Sequence, residues 1–389
     1  LLVLAYLRIF LRNILFGLYF ITYVTNHTQK ALMINYKPLI IFILSFAIYS
    51  CSGQKSKSEL QNVTLESDLE NSQSNINSVR NSILFPDFNN QINQVVRTIF
   101  QDSKRNIWFG TEDGVFKYNG ESLIHVNTIK SKSGKDVTIK DITESKDGII
   151  WFGHTDGVCS FNGETVKNYD ESDGLISNDV WCITADTNGK IWVGTINGVS
   201  VFDGKEFSSF HLPVGKVDST RGVSSTKIVH SITEDSKRTL WFSSNAGLFS
   251  YSNDILTNVS EKNGIQTNFI NEVFEDKKGA LWVSTKKGLY NLNDDKIHNI
   301  TGGKIKEGKG IGSIAEDKNG TIWFVSNQHF LYSYDRGQLI EYQKSEENKG
   351  PVIFQIYNDQ DDRLWFVGFG GAYRLENEKL LNITKDGPW

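Results

Sequence analysis

Tryptophan recurs along this chain at nearly constant intervals. Seven of the nine tryptophans follow an isoleucine or a leucine, and successive ones lie 41 to 49 residues apart. They are Trp108, Trp151, Trp192, Trp241, Trp282, Trp323 and Trp365. Six residues before each stands an aspartate, except for Ser145 in the second copy, and six residues after each stands a glycine, except for His329 in the sixth. Seven copies in one register mean that the repeat is the fold.

Each copy of the repeat predicts four short strands. In the third copy they are DVWCITAD, KIWVGT, GVSVFD and EFSSFH, which show part of the apolar alternation of half-buried strands. Asp and Gly in DTNG, TING and FDGK supply the turns between them. No segment shows a sustained helical period. Four strands in units of about 42 residues predict an all-β fold, a seven-bladed β-propeller of four-stranded blades.

The repeated tryptophan and aspartate have structural explanations. One blade cannot bury its own apolar faces, so each tryptophan is expected to fill the interface to a neighbouring blade, at a cost of roughly 3–5 kcal/mol if truncated to alanine. The aspartates are expected to cap turns. Their spacing loosely resembles calcium loops, but only DQDD (359–362) approaches the oxygen density of such loops. We therefore predict no metal site and no cofactor.

The propeller is expected to occupy residues 86–389. Residues 51–85 are polar and poor in aromatics, which indicates a flexible tether. The sequence leaves ring closure open, because both the first and the last copy show four strands while residues 82–88 could still add a strand to the last blade.

The N-terminal region carries signals for cellular location rather than for a fold. Residues 33–50 read as a secretory signal peptide that ends in a sequence similar to a bacterial lipobox, so Cys51 is expected to carry lipid and anchor the protein to a membrane. An uncleaved anchor helix is the alternative. Since Met33 is the only methionine, we interpret residues 1–32 as upstream translation.

Composition excludes one class of partner. The net charge of −4 over 389 residues is mild, and no cluster of lysines and arginines forms a basic stripe, so nucleic-acid binding has no support. Cys159 and Cys182 fall in a third and a first strand of adjacent blades, where we expect them to be buried and unpaired.

Three stretches carry a family resemblance. SKDGIIWFGHTDGVCSFNG (145–163), DTNGKIWVGTINGVSVFDG (186–204) and YDESDGLISNDVWCI (169–183) strongly resemble the two-component regulator propeller repeat. In that family, propellers form the periplasmic sensor half of hybrid histidine kinases, many of which detect glycans. Signalling members have two propellers, an immunoglobulin-like domain, a membrane helix and a kinase. One ring alone does not carry the kinase activity over, so the resemblance implies a sensor without its own kinase.

The residues after Cys51 bear on location by the same kind of resemblance. Ser52 is not the acidic residue associated with retention in the inner membrane, and the following GQKSK lacks the acidic run linked to surface display in Bacteroidota. We therefore expect an outer-membrane lipoprotein that faces the periplasm.

Departures from the repeat point to a ligand face, since the repeat positions are already explained by folding. His154 replaces a hydroxyl or small residue of its column, and His329 replaces a turn glycine. The insertion 211–226 lengthens one spacing to 49 residues and contributes three further candidates on the same predicted face. These candidates are His211, Lys216 and Arg221. Neutral drift and a tolerated loop are the alternative explanations of these departures.

Trp181 and Phe369 lie near the same face and are candidate stacking platforms for sugar rings, although packing would explain both equally well. The sequence thus favours an envelope protein that binds a glycan or small molecule and performs no chemistry. A protein–protein platform in an envelope complex, with a partner such as a separate sensor kinase, is the first alternative. An enzyme similar to the streptogramin lyases, with His154 or His329 as base, is the second.

Overall fold

A seven-bladed β-propeller is what the computed structural model shows. It describes residues 90–217, 225–260, 264–265, 267–293, 296–305, 310–344 and 351–389. These residues form seven antiparallel sheets of four strands, and each sheet contains four consecutive strands in chain order. The predicted fold class and blade count are confirmed.

The first four blades contain strands β1 to β16. Their bounds are β1 Val96–Gln101, β2 Ile107–Thr111, β3 Gly114–Tyr118 and β4 Leu123–His125; β5 Ile139–Glu144, β6 Ile150–His154, β7 Gly157–Phe161 and β8 Val166–Tyr169; β9 Val180–Ala185, β10 Ile191–Thr195, β11 Gly198–Phe202 and β12 Phe207–Phe210; β13 Val229–Glu234, β14 Leu240–Ser244, β15 Gly247–Ser252 and β16 Ile255–Asn258. A short 3₁₀ helix, Glu171–Asp173, follows β8.

The last three blades contain strands β17 to β28. Their bounds are β17 Ile270–Glu275, β18 Leu281–Thr285, β19 Gly288–Asn293 and β20 Lys296–Asn299; β21 Ile311–Glu316, β22 Ile322–Ser326, β23 Phe330–Asp335 and β24 Gln338–Tyr342; β25 Val352–Asn358, β26 Leu364–Phe369, β27 Gly371–Glu376 and β28 Lys379–Ile383. In every blade the first strand contacts the first strands of both neighbouring blades, so seven first strands surround a central channel.

The ring closes where blade 1 packs on blade 7. Strand β1 contacts β25 and β26, and each of the two blades has four consecutive strands of its own. The residues just before β1 also pair with blade 7 through isolated backbone bridges, Gln91 with Thr384 and Val95 with Phe369. Residues 82–88 lie outside the described residues. Side chains add to the seam: Gln91 and Asn382 exchange two hydrogen bonds, at 2.7 and 3.0 Å. Trp389 also stacks on Tyr118 of blade 1, with 4.2 Å between the ring centroids.

The repeated aspartate and tryptophan form a buried pair in six blades. The indole Nε1–H of the tryptophan donates to Oδ2 of the aspartate six residues earlier, at 2.8 to 3.0 Å. The other carboxylate oxygen accepts backbone N–H groups of the turn between the first and second strands of the same blade. In blade 3, Asp186 Oδ1 accepts from the backbone N–H groups of Asn188 and Lys190 at 2.9 and 2.8 Å. The predicted turn cap is confirmed, and it also fixes the indole.

The tryptophans lie between blades, as expected. Trp108 of blade 1 meets Phe152 of blade 2 edge to face, with 5.7 Å between centroids, and Trp365 of blade 7 meets Phe109 of blade 1 at 6.0 Å. Each anchored indole thus belongs to the apolar cluster that joins two blades. Cys159 and Cys182 are buried and unpaired, as predicted.

Blade 2 lacks the pair because Ser145 takes the place of the aspartate. The Ser145 hydroxyl donates to Asp147 Oδ1 at 2.5 Å and lies 3.1 Å from the Ile149 carbonyl. Trp151 is only 4% exposed, and its Nε1–H finds no acceptor within the described residues. A buried donor without an acceptor costs about 1–3 kcal/mol, so blade 2 carries a local weakness that its six counterparts avoid.

Exchanging serine and aspartate at this position between blades 2 and 4 tests whether the aspartate stabilises the fold by accepting from the indole. We expect Asp235→Ser, which gives blade 4 the serine of blade 2, to lower the free energy of unfolding by about 2 kcal/mol, because Trp241 Nε1–H loses its acceptor. Ser145→Asp should raise it by about 1 kcal/mol by supplying an acceptor to Trp151. Guanidinium unfolding curves measure both. Unchanged stability of Asp235→Ser would contradict the anchoring role.

Candidate functional site

A β-bulge occurs at the same point of every blade. The pairing of the first strand with the second slips there by one residue, between Val96 and Thr98 in blade 1 and at equivalent positions in the others. Bulges re-aim a side chain and are frequent beside functional sites. Here the extra residue stands eleven positions before the repeated tryptophan and faces the central channel. These residues, the outer ring, are Arg97, Lys140, Trp181, His230, Asn271, Gly312 and Phe354.

The outer ring borders a cavity of about 510 Å³ in the central channel. The cavity opens on the face of the propeller that carries the turns between the second and third strands of the blades. In blade 6, Asn327 and Gln328 of that turn line the cavity, as does Gly310 just before the first strand. The next residue of each first strand points to the deeper wall. These residues, the inner ring, are Thr98, Asp141, Cys182, Ser231, Glu272, Ser313 and Gln355.

The inner ring ties neighbouring blades together. In four blades its side chain accepts the backbone N–H located nine positions before the tryptophan of the next blade. The pairs are Asp141 with Ile183 at 2.9 Å, Glu272 with Ile314 at 3.2 Å, Ser313 with Ile356 at 3.1 Å and Gln355 with Ile99 at 2.7 Å. A bulge leaves an N–H group without its ladder partner, and the adjacent blade supplies the acceptor. The last of these bonds crosses the seam.

Two carboxyl groups of the inner ring hold their protons unusually strongly. Burial raises the pKa of Asp141 to about 7 and that of Glu272 to about 8, and it outweighs the backbone N–H groups that lower both values. The Asp141 charge adds to the rise at Glu272. Near pH 6 both side chains are therefore neutral, and the deeper wall of the cavity carries little negative charge.

The outer ring places two cations side by side, each against an aromatic ring. Lys140 Nζ lies 5.3 Å from the ring centroid of Trp181, and the Arg97 guanidinium lies 5.6 Å from that of Phe354. Arg97 also bonds Glu112 Oε1 at 2.6 Å. Burial and then the charge of Arg97 lower the pKa of Lys140.

His230 completes the aromatic side of the outer ring. Its imidazole meets Trp181 edge to face, with 5.8 Å between centroids, and its Nε2 lies 2.7 Å from Asn245 Oδ1. The indole Nε1–H of Trp181 and the hydroxyl of Ser231 are buried without a partner among the described residues. The wall here offers hydrogen bonds that the folded chain does not use.

Of the sequence-predicted site residues that the structure describes, Trp181 alone lines this cavity. His154 ends β6 and is 1% exposed. Its Nδ1 accepts from the backbone N–H of Asp156 at 3.2 Å, as Thr111 Oγ1 accepts from Asp113 at 3.1 Å in blade 1. Burial lowers the pKa of His154 to about 4, so the ring is neutral near pH 7. His154 therefore caps a turn inside the fold, away from the cavity.

His329 lies exposed in the turn between β22 and β23, and it does not line the cavity. Because the usual turn glycine is missing there, Asn327 and Gln328 adopt left-handed backbone angles, with φ of 54° and 65°. These two residues line the cavity. The departure noticed in the sequence thus marks a reshaped turn whose neighbours, rather than the histidine, reach the cavity.

The remaining predicted residues lie elsewhere or outside the described residues. His211 lines a separate cavity of about 100 Å³ near β12, and Lys216 is exposed beside Asn245. Phe369 ends β26 with 42% exposure and is not among the residues that line the channel cavity. Two predicted residues, Arg221 and Cys51, fall outside the described residues.

The sequence does contain a signal for the outer ring. Eleven positions before each tryptophan the residue type changes from blade to blade, whereas the position just before it is always valine or isoleucine. A position that varies next to an invariant apolar one is not fixed by packing. In the described residues, no group of three or more His, Cys, Asp or Glu could hold a metal ion. Asp359 instead caps its turn and accepts from Trp365 at 2.8 Å.

Two segments match a known family. Residues 90–113, which contain β1 and β2, and residues 174–197, which contain β9 and β10, match the two component regulator propeller. This chain carries two component regulator propeller repeats. The resemblance read from the sequence is confirmed.

Solved structures share the fold at low identity. An extracellular domain assigned to a hybrid two component system of B. thetaiotaomicron aligns with a TM-score of 0.58 and 19% identity, over 75% of this chain and 39% of that one. Virginiamycin B lyase from Staphylococcus aureus aligns with a TM-score of 0.58 and 15% identity, over 73% and 95%. YCF48 bound to D1 peptide aligns at 0.53 and 11%, over 75% and 97%. These likenesses establish the fold alone.

The chain spans about two-fifths of the length of the extracellular domain that it matches, since 39% of that domain is covered. A search of curated protein sequences gave no significant match. No helix of the described segments has the length and apolar character needed to cross a membrane.

The two inner-ring carboxyls predict a pH dependence of stability. Their pKa values in the folded chain, about 7 and about 8, exceed the ordinary values of 3.8 and 4.5. The folded state therefore holds protons that the unfolded state releases, and stability falls as pH rises through 7 and 8. We expect the free energy of unfolding to drop by more than about 1 kcal/mol between pH 6 and pH 9.

Asp141→Asn combined with Glu272→Gln should flatten this profile, because the amides keep an acceptor for the neighbouring blade but do not titrate. Denaturant unfolding at pH 6, 7.5 and 9 measures the difference. An equally steep profile in the double variant would assign the pH dependence to other groups.

Proposed function

We propose that this protein is a ligand-binding sensor propeller, which receives a glycan or small molecule at the channel cavity and performs no chemistry on it. The observation that carries the proposal is the outer ring. Seven bulges place seven different residue types at one cavity, although the residues beside them repeat from blade to blade. Folding accounts for the repeated residues and leaves the varied ones available for recognition.

The chemistry of the wall supports a ligand rather than a structural role. Trp181 and Phe354 offer aromatic surface, and both are partly exposed. Trp181 Nε1–H and the Ser231 hydroxyl have no partner within the described part of the chain. Buried polar groups normally find partners, so two unsatisfied groups beside this cavity set it apart from the packed interior.

We propose that this function is exercised in the cell envelope. The signal-peptide pattern before Cys51 supports a lipid anchor, and the similarity to an extracellular domain supports a location outside the cytoplasm. The outer membrane, with the propeller facing the periplasm, is the proposed site of action. A separate sensor kinase is the proposed partner, since the resemblance implies signalling.

A protein-binding platform is a second candidate. It draws support from YCF48, a propeller whose structure contains a bound D1 peptide. In that case a peptide segment would occupy the same cavity. A lyase is less supported: His230 is the histidine that lines the cavity, and its Nε2 lies 2.7 Å from Asn245 Oδ1 rather than facing a substrate position.

Thermal unfolding of the full chain against a panel of polysaccharide fragments tests the proposal. A ligand at one hundred times its dissociation constant adds about 2.7 kcal/mol, which shifts the melting temperature by a few degrees in a domain of this size. We expect one fragment class to produce the shift and Trp181→Ala to abolish it. Ile340→Ala, at a 57% exposed position on the outer strand β24, is the matched control. The proposal would be contradicted if no fragment changed the melting temperature, or if the change were the same in Trp181→Ala.

A further inference from the structure

The outer ring is strongly asymmetric in charge. Its two cations, Arg97 and Lys140, belong to adjacent blades, while Gly312 in blade 6, separated from blade 1 by blade 7 alone, contributes no side chain. The outer ring therefore has a gap at blade 6. A larger group has room there, whereas the wall at blades 1 and 2 is basic.

The two cations are not neutralised by the protein to the same extent. Arg97 shares its charge with Glu112, but the Arg97 Nε–H is buried and lacks a partner among the described residues. Lys140 forms no ion pair within the described residues, and its ammonium group lies over the face of Trp181, 5.3 Å from the ring centroid. Asp179 and Glu112 act on it only at longer range. Holding two like charges together in a partly buried wall is unfavourable unless an anion joins them.

Aromatic rings fix these cations in place. Phe354 precedes Arg97 around the ring and Trp181 follows Lys140, so each cation is held against an aromatic face at the border of the cavity. The carboxyls below do not compensate the positive charge near pH 6, because Asp141 and Glu272 keep their protons there. The basic wall is thus preorganised before any ligand arrives.

We propose that the ligand is an acidic saccharide, whose carboxylate or sulfate group lies between Arg97 and Lys140 and whose sugar ring packs beside Trp181 and Phe354. This inference rests on the proposed function and specifies its ligand class. The anionic oxygens take the unused donors of the two cations, and the rest of the saccharide extends toward the gap at Gly312.

Calorimetric titration of the full chain with pairs of saccharides that differ in charge tests the ligand class. One pair is tri-galacturonate and its methyl ester, and the other is N-acetylgalactosamine 6-sulfate and unsulfated N-acetylgalactosamine. We expect the acidic member of one pair to bind at least ten-fold more tightly than its neutral partner, at pH 6 and low salt. The pair that responds distinguishes a carboxylate from a sulfate ligand.

Charge-removing variants locate the effect. Arg97→Gln and Lys140→Gln should each weaken the acidic member at least ten-fold and leave the neutral member unchanged. Lys167→Gln is the matched control, since Lys167 also lies over an aromatic ring, that of Tyr169 at 4.8 Å, but away from the channel. The ligand-free melting temperature of Lys140→Gln should be unchanged or higher, because an unpaired charge is removed.

The possible failures are distinct. If the neutral member binds as well as the acidic one and Trp181→Ala abolishes that binding, the sensor function stands and the acidic class is overturned. If acidic binding survives both glutamine variants, the site is elsewhere and both proposals fail. Absence of binding by all four probes at millimolar concentration overturns the inference, and the broader fragment panel then decides the function. A marked fall in the melting temperature of ligand-free Lys140→Gln would assign this lysine a structural role instead.

Discussion

No blade of this propeller can bury its own faces, and every other feature depends on that constraint. Each sheet must be covered on both sides by its neighbours, so the last blade has to meet the first. The buried aspartate fixes the indole that fills each interface, as Asp186 does for Trp192 at 2.8 Å. At the seam, polar contacts also hold the first and last blades together, among them the hydrogen bond from the Ile99 backbone N–H to Gln355. Among the described residues, closure is thus distributed over many modest interactions, which include the backbone bridges Gln91–Thr384 and Val95–Phe369.

The bulge connects this architecture to function. By inserting one residue into each first strand, it turns one side chain into the channel and leaves one backbone N–H without its ladder partner. The inner ring supplies an acceptor to such an N–H group of the next blade, as Asp141 does for Ile183. The outer ring is then released from any role in sheet pairing. A repeated fold thereby obtains seven positions where residue type can change at little cost to folding, all bordering one cavity.

The sequence was sufficient for the fold because its signals are local and repeated. Turn chemistry, strand alternation and the spacing of Trp108 and its counterparts recur seven times, so errors in one copy are corrected by the others. The site was harder, because departures from a repeat do not reveal which way a side chain points. His154 replaces a hydroxyl residue on the expected ligand face, yet its Nδ1 takes over the bond to the turn N–H inside the fold. Arg97 and Lys140 are not departures from a repeated residue, because the position eleven residues before the tryptophan differs in every blade.

Departures from the repeat therefore fall into two physical kinds. Ser145 costs stability where it stands, because the folded blade still presents Trp151 Nε1–H to an acceptor that is missing. Lys140 costs stability in a different way, since its partly buried charge has no ion-pair partner in the described chain but borders a cavity rather than a packed interior. Only the second kind can be relieved by a molecule that arrives from outside. An unfavourable group beside a cavity is accordingly a stronger indication of binding than an unusual residue inside a turn, whatever the chemistry of its side chain.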